Sequence, residues 1–224
     1  MNPYLRLFRL GNAVMGCIGL LVAAFIAAGT GMLHDWFPLA VCVAVVFLFM
    51  SGGNTLNDGI DAEIDKESHP DRPVPQGLVT AERARKLGMG LLLACIPLSL
   101  VTLDVPIIVI VSVASLLMIS YENGLKQRGL VGNITIAVLT GMLFLVGSAA
   151  VGDWKANLFP ALLVVAVSVG REIAKDIEDM EGDRDRRTLP MSIGVRGAAA
   201  VSCAFTVAGV VLSFVPLYLG TVHP

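Results

Sequence analysis

The sequence predicts an all-α fold, a polytopic bundle of transmembrane helices, and three observations carry that reading. Its 224 residues are 55% hydrophobic and 15% charged, with a mean hydropathy of +0.77, more apolar than a water-soluble domain of this length needs to be. Seven apolar segments stand out, near 11–33, 36–56, 87–103, 105–121, 129–151, 156–175 and 197–220, most of them long enough to cross a bilayer. The charges between them are one-sided. Of 16 Lys and Arg residues only Lys155 falls opposite the rest, and of 18 Asp and Glu residues only Asp35, Asp104 and Asp153 do. Lys/Arg-rich loops stay inside, so an integral, multi-pass cell-membrane protein with its chemistry facing the cytoplasm is expected.

That sidedness depends on drawing the third and fourth segments as two helices. Only Thr102, Leu103 and Asp104 separate them, and Pro97 and Pro106 bend the path. Trp36 and Trp154, in the short turns on the opposite side, have the character of interfacial anchors. Cys17, Cys42, Cys95 and Cys203 lie singly in apolar segments, which points to packing rather than a disulfide framework or a zinc site. The first apolar run is too long for a signal-peptide core and is followed by another span after a short turn. Membrane lipids are the expected surroundings, and no nucleic-acid partner is expected.

Taken in order, Arg9 and Asn12 enter the first span from the cytoplasmic face. An arginine there also serves as an ordinary snorkelling, positive-inside residue, whereas Asn12 in hydrocarbon needs a partner, which facing the bundle interior supplies. The second span runs into NTLNDGIDAEIDKESHPDRPVPQG, from Asn54 to Gly77. Asn57, Asp61 and Asp65 recur every fourth residue, which stacks them on one helical face with Asp58 beside them in an arc of roughly 100°. Carboxylates so crowded repel one another unless a cation sits between them, and hard oxygen ligands without His or Cys suit Mg²⁺. The plain alternative is a solvated acidic helix end. Tyr121 and Lys126, between the fourth and fifth segments, reach toward the same cytoplasmic mouth, although a belt tyrosine and a positive-inside lysine account for them equally well.

The sixth segment closes on GREIAKDIEDMEGDRDRRTLP. On a helix Glu172, Asp176, Asp179 and Asp183 fall within roughly 60°, with Lys175 to the side. Two acidic stripes on one side of the membrane, in cytoplasmic motif loops 57–86 and 171–196, are expected to face each other across a cavity. Prolines in the first loop and helical spacing in both favour capped helices over floppy linkers. Such stripes among Arg and Lys, at the mouth of an apolar bundle, imply a ligand with one anionic, metal-bound end and one long greasy end. A polyprenyl diphosphate fits, since Mg²⁺ neutralises the charge that builds as the allylic C–O bond breaks and the bilayer keeps water from the cation.

The run Asn54, Asn57, Asp58, Asp61, Asp65, Arg72, Pro73 resembles the first signature of the UbiA superfamily of intramembrane prenyltransferases, and Lys175, Asp176, Asp179, Gly182, Asp183 with Thr188–Pro190 resembles the second. Tyr121 and Lys126, followed by Gly132 and Asn133, are similar to the family's Tyr/Lys element and GN pair, and Arg9 and Asn12 to its first span. The resemblance implies a single prenyltransferase domain over residues 1–224, an all-helical bundle around a central cavity open to the cytoplasm and laterally to lipid, two Mg²⁺ ions, and a prenyl diphosphate donor. Carried across motif by motif, it implies Asn57, Asp61 and Asp65 as ligands of one metal and Asp176, Asp179 and Asp183 of another. It implies Arg9, Asn12, Asn54, Asn57, Arg72, Lys126 and Lys175 as substrate-binding, and Asp58, Asp61, Asp179, Tyr121 and Lys126 as the catalytic group.

Two departures stand beside the resemblance. The family typically has nine spans whereas seven fit up to Pro224, so its last two helices are expected to be missing from this sequence. Tyr121 and Lys126 are one residue further apart than the family's common spacing, and Asp183 and Thr188 are closer together. Within the family, the wording EIDKESHPDRPVPQG and DIEDMEGD most resembles archaeal enzymes that add a second geranylgeranyl group to geranylgeranylglyceryl phosphate to build ether lipids. The expected acceptor is therefore a lipid-like hydroxyl, with an aromatic ring of the quinone type or a tetrapyrrole-type alcohol as the alternative. A cation transporter is the non-enzyme alternative, but its acids belong near midspan rather than at helix ends.

Overall fold

A computed structural model describes residues 2–180 and 188–218, and among them there is helix but no strand. The α-helices are α1 (Pro3–Phe8), α2 (Leu10–Ala28), α3 (Trp36–Ile60), α4 (Asp65–Ser68), α5 (Ala81–Leu100), α6 (Val105–Glu122), α7 (Leu130–Ala149), α8 (Leu158–Glu178), α9 (Leu189–Ser213) and α10 (Val215–Tyr218). Short 3₁₀ turns lie at Gly29–Leu33 and Leu125–Gln127. Five segments are long and apolar enough to cross a membrane: Leu10–Leu33, Trp36–Ile60, Val105–Glu122, Leu130–Ala149 and Leu189–Ser213. α5 and α8 have the length of the two further spans expected, but α5 opens on Glu82, Arg83, Arg85 and Lys86, and α8 closes on Arg171, Glu172, Lys175 and Asp176.

The break between the third and fourth segments is real and falls at Val101–Asp104. Leu103 takes a left-handed conformation there (φ 54°), and the Asp104 side chain caps α6 by accepting from the Ile107 N–H at 2.9 Å. The seventh segment is corrected: its helix begins at Leu189, not near 197. Thr188 is extended and Pro190 sits in the first turn, where a missing N–H leaves nothing unpaired, and Gly194 (φ 78°) carries an internal kink. Helix α4 lies within 57–86, and α8 and α9 reach into 171–196 as far as Glu178 and from Leu189.

The chain forms two compact units, Met1–Asn123 with Met142–Leu158, and Gly124–Gly141 with Phe159–Pro224. In the first, α3 packs on α5 almost backbone to backbone. A Cβ on Gly88 would strike the Leu56 backbone and lie 2.8 Å from the Gly52 carbonyl, and one on Gly59 would lie 2.8 Å from the Arg85 nitrogen. Close approach of small residues is how helices gain van der Waals contact in lipid, where apolar burial alone gives no advantage. Cys42 and Cys95 sit in the core with Leu39, Val45 and Ile107, and all four cysteines are free thiols. Asn157, fully buried, donates to the carbonyls of Ala23 (2.8 Å) and Phe144 (3.1 Å) and so ties the turn before α8 to α2 and α7. Trp36, at the start of α3, and Trp154, in the turn before α8, are exposed, and the Lys155 ammonium lies 5.7 Å from the Trp154 ring centre. In the second unit Ala137, Val169, Ile173 and Ala198 form the core, and the Ser202 hydroxyl donates to the Gly170 carbonyl at 2.7 Å.

The α3–α5 contact predicts a contrast within one helix. Gly88→Ala overpacks the crossing and is expected to destabilise by about 1–3 kcal/mol. Gly90→Ala, with nothing within 4 Å of the new methyl, is neutral or stabilising by up to about 1 kcal/mol. Thermal unfolding in detergent checks this, and equal effects at both positions would contradict the packing.

Candidate active site

The first motif is built on the end of α3. Arg85 Nε donates to the Gly59 carbonyl at 2.9 Å and withdraws it from the helical ladder, and α3 stops at Ile60. The register nevertheless continues: Asp61 N–H donates to Asn57 O and Asp65 N–H to Asp61 O, each at 2.8 Å. The single helical face expected for Asn57, Asp61 and Asp65 is therefore corrected to a helix end, a turn and the start of α4, stacked at the same four-residue interval. Asn57 Nδ2 donates to Asp61 Oδ2 at 2.9 Å and to Glu122 Oε2 at 3.3 Å.

Asp58 lies beside them and meets two arginines. Its side chain is 1% exposed, is ion-paired with Arg9, and has Arg72 Nη1 at 3.6 Å. Arg72 Nη1 also lies 2.7 and 2.6 Å from the two oxygens of Asp65, whose Oδ1 is 3.3 Å from His69 Nδ1. Arg9 reaches Asp58 from a left-handed residue (φ 47°, ψ 62°) that separates α1 from α2, a conformation unfavourable to a non-glycine residue by about 1 kcal/mol or more. Contacts on either side hold it there. Asn54 Nδ2 donates to the Phe8 carbonyl at 3.2 Å, and Arg6 donates to Gln76 Oε1 at 3.0 Å and to the Asp71 carbonyl. Leu7, fully buried, packs with Ala62, Val74, Val79 and Ala84 beneath the loop. The Asn12 side chain is exposed, beside the buried stripe of α2 that runs through Ala13, Gly16, Leu20 and Ala23.

Tyr121, half-buried, and Glu122, buried, end α6. In the second unit the 3₁₀ turn Leu125–Gln127 carries a buried Lys126. α7 starts hard against that turn: a Cβ on Gly132 would lie 2.9 Å from the Leu125 carbonyl and 3.0 Å from Lys126 Cα. Asn133 Nδ2 donates to Asp176 Oδ2 at 2.8 Å, fixing the first acid of the second motif. Asp176 and Glu172 are half-buried whereas Lys175 and Asp179 are exposed, and α8 ends at Glu178. Asp183 lies outside the described residues.

Glu122, Arg85 and Asn133 take part in these arrangements without having been selected as site residues from the sequence. Glu122 carried the clearest signal, an acid closing an apolar span directly after Tyr121. Among the described residues, no three Asp, Glu, His or Cys side chains converge closely enough to hold a cation by themselves.

An all-helical chain with spanning helices, and with hard oxygens and guanidiniums gathered at a helix end, has the parts of a membrane enzyme acting on an anionic, lipid-like substrate. The chain belongs to the UbiA prenyltransferase family, whose sequence model matches residues 17–224, and it is an integral membrane prenyltransferase. It is 35% identical over 217 residues to the digeranylgeranylglyceryl phosphate synthase of Methanosphaera stadtmanae, covering 95% of this chain and 77% of that one. The enzyme of the same name from Thermococcus gammatolerans is 39% identical over 226 residues, covering 98% and 79%. A solved structure described as digeranylgeranylglyceryl phosphate synthase in membranes superposes with a TM-score of 0.82 at 29% identity, covering 99% of this chain and 79% of that one. A UbiA homologue from Archaeoglobus fulgidus, solved bound to DMAPP and Mg²⁺, shares the fold at a TM-score of 0.76 and 16% identity, covering 96% and 78%.

Arg72 is the donor on which Asp65 depends. Arg72→Ala leaves that carboxylate, 4% exposed, without its guanidinium and is expected to destabilise by about 2 kcal/mol. Arg83→Ala, an exposed change on α5, shifts stability by less than about 0.5 kcal/mol. Melting curves of the two variants in detergent check this, and indistinguishable curves would contradict it.

Proposed function

We propose that this chain transfers a geranylgeranyl group from geranylgeranyl diphosphate to the free hydroxyl of geranylgeranylglyceryl phosphate, an ether-forming step of archaeal lipid synthesis. Residues 1–224 act as one catalytic domain of seven spans, with the motifs at the cytoplasmic face. The observation that carries the reading is the end of α3 and the loop after it, where Asn57 is bonded to Asp61 and the buried acids Asp58 and Asp65 hold the guanidiniums of Arg9 and Arg72. The synthase name borne by relatives 35% and 39% identical to this chain supports the choice of donor and acceptor.

The donor set fits Mg²⁺. Asn57 Oδ1 accepts no hydrogen bond among the described residues, while its Nδ2 is bonded to the Asp61 carboxylate. Asp65 holds Arg72, but a carboxylate has lone pairs enough to serve a guanidinium and a cation together. Asn57, Asp61 and Asp65 would hold one ion and Asp176, Asp179 and Asp183 a second, with the diphosphate oxygens completing both shells. Bound Mg²⁺ supplies neutralisation of the charge that gathers on the diphosphate as the bond breaks.

This chain's own groups do the rest. Arg9, Arg72, Lys126 and Lys175 give charge-assisted hydrogen bonds to the diphosphate. Asp58 keeps Arg9 and Arg72 aimed, and Asn54 anchors the segment that carries Arg9. Asn12, exposed at the start of α2, is available to the bound substrate. The allylic C–O electron pair leaves with the diphosphate, and the allylic cation forms beside the Tyr121 ring, whose face favours positive charge. The glycerol oxygen bonds to the allylic carbon, and its proton passes to the released diphosphate or to water. Apolar helices exclude the water that would otherwise capture the cation.

The test is purified full-length protein in detergent with geranylgeranyl diphosphate, Mg²⁺ and a panel of lipid and aromatic acceptors, the product identified by mass. Digeranylgeranylglyceryl phosphate is expected only with Mg²⁺ present. Asp61→Ala and Asp179→Ala each reduce its formation at least about 100-fold without loss of folded protein. Transfer that survives chelation, or a product formed only on an aromatic acceptor, would overturn the proposal.

A further inference from the structure

We infer that Glu122 is a positioning residue for the first metal motif: its carboxylate sets the Asn57 side chain so that Oδ1, and not Nδ2, is presented to the cation. The inference rests on the Mg²⁺ site proposed above and concerns a residue outside the family-like motifs.

The two ends of an asparagine amide are nearly alike in shape and opposite in function. The oxygen coordinates a cation and the NH₂ group repels it, so a useful asparagine ligand must be held against a flip. Asn57 Nδ2 has two hydrogens and two acceptors, Asp61 Oδ2 at 2.9 Å and Glu122 Oε2 at 3.3 Å. Asp61 is itself a ligand and must turn oxygens to the ion. The acceptor that stays with Nδ2 when the ion binds is Glu122, on a different helix. An amide donor committed to a carboxylate leaves Oδ1 pointing away from it, since the two atoms lie on opposite sides of one planar group.

Helix register delivers Glu122 to that place. Gly53 of α3 leaves the space that the Met118 side chain of α6 occupies, and a Cβ there would strike Met118 Cε. One turn further along both helices, residue 57 meets residue 122, because residues four apart on a helix share a face. Glu122 is 3% exposed and lies near Asp61 through the amide they share.

The variants are Glu122→Ala, which removes the acceptor, and Glu122→Gln, which keeps an acceptor oxygen at the same reach. Mn²⁺ serves as a spectroscopic stand-in: its affinity for the full-length protein in detergent is read from the free-ion EPR signal, alongside the Mg²⁺ concentration giving half-maximal transfer. Glu122→Ala is expected to weaken Mn²⁺ binding and raise the Mg²⁺ midpoint by about 10-fold or more, as loss of an outer-shell partner does. Glu122→Gln stays within about threefold of the parent, and the acceptor KM is unchanged in both. Parent-like Mn²⁺ binding by Glu122→Ala overturns the inference. So does Glu122→Gln failing as badly as Glu122→Ala, since the carboxylate would then be a ligand itself. Asp61→Ala separates this outcome from failure of the underlying site: Mn²⁺ binding undiminished in Asp61→Ala, or absent in the parent, overturns the proposed metal site and the inference together.

Discussion

A carboxylate buried at the end of an apolar helix has to be neutralised where it stands, and much of the first motif follows from how Asp58 meets that requirement. Removing an ion from water costs several kcal/mol, on the order of more than one ordinary hydrogen bond returns, so Asp58 folds only with cations brought to it. Arg9 comes from the N-terminal side and Arg72 from the loop beyond α4. To reach, the chain breaks α1 from α2 at a left-handed arginine and folds the 70–79 segment back over the helix end, where Leu7, Val74 and Val79 close a small core beneath it. The unfavourable backbone at Arg9 and the buried charge are two parts of one arrangement.

The same arrangement prepares a site for anions. Arg72 is shared between Asp58 and Asp65, and Arg9 is held by Asp58, so neither guanidinium searches rotamers when a ligand arrives. A side chain already immobilised loses less freedom on binding, and a planar guanidinium in fixed orientation suits the paired oxygens of a diphosphate. In the reaction proposed above, stability and substrate recognition draw on one set of contacts. That is why acids in an apolar chain sit at helix ends, where loop arginines can reach them, rather than at midspan.

The large features were legible because they rest on periodicity and charge. Apolar runs located the long helices, the break near 102–104 followed from sidedness, and the four-residue recurrence of Asn57, Asp61 and Asp65 survived the end of α3 because the backbone hydrogen bonds keep their register. What escaped was tertiary. No spacing rule says that Arg85 will take the Gly59 carbonyl in the last turn of α3, or that Asp58 will pair with arginines 49 and 14 residues away. The early start of α9 was hidden by polar residues that a helix beginning at Leu189 accommodates.

The dependence of this motif on a buried charge is tested most directly by a double-variant cycle on Asp58→Asn and Arg9→Gln, with thermal unfolding in detergent as the readout. Each single change is expected to destabilise, and the double variant to lose less than their sum by about 1–2 kcal/mol, because the second change removes a partner already without its counterpart. Strictly additive losses would mean that Asp58 and Arg9 stabilise the protein independently, and would contradict the account.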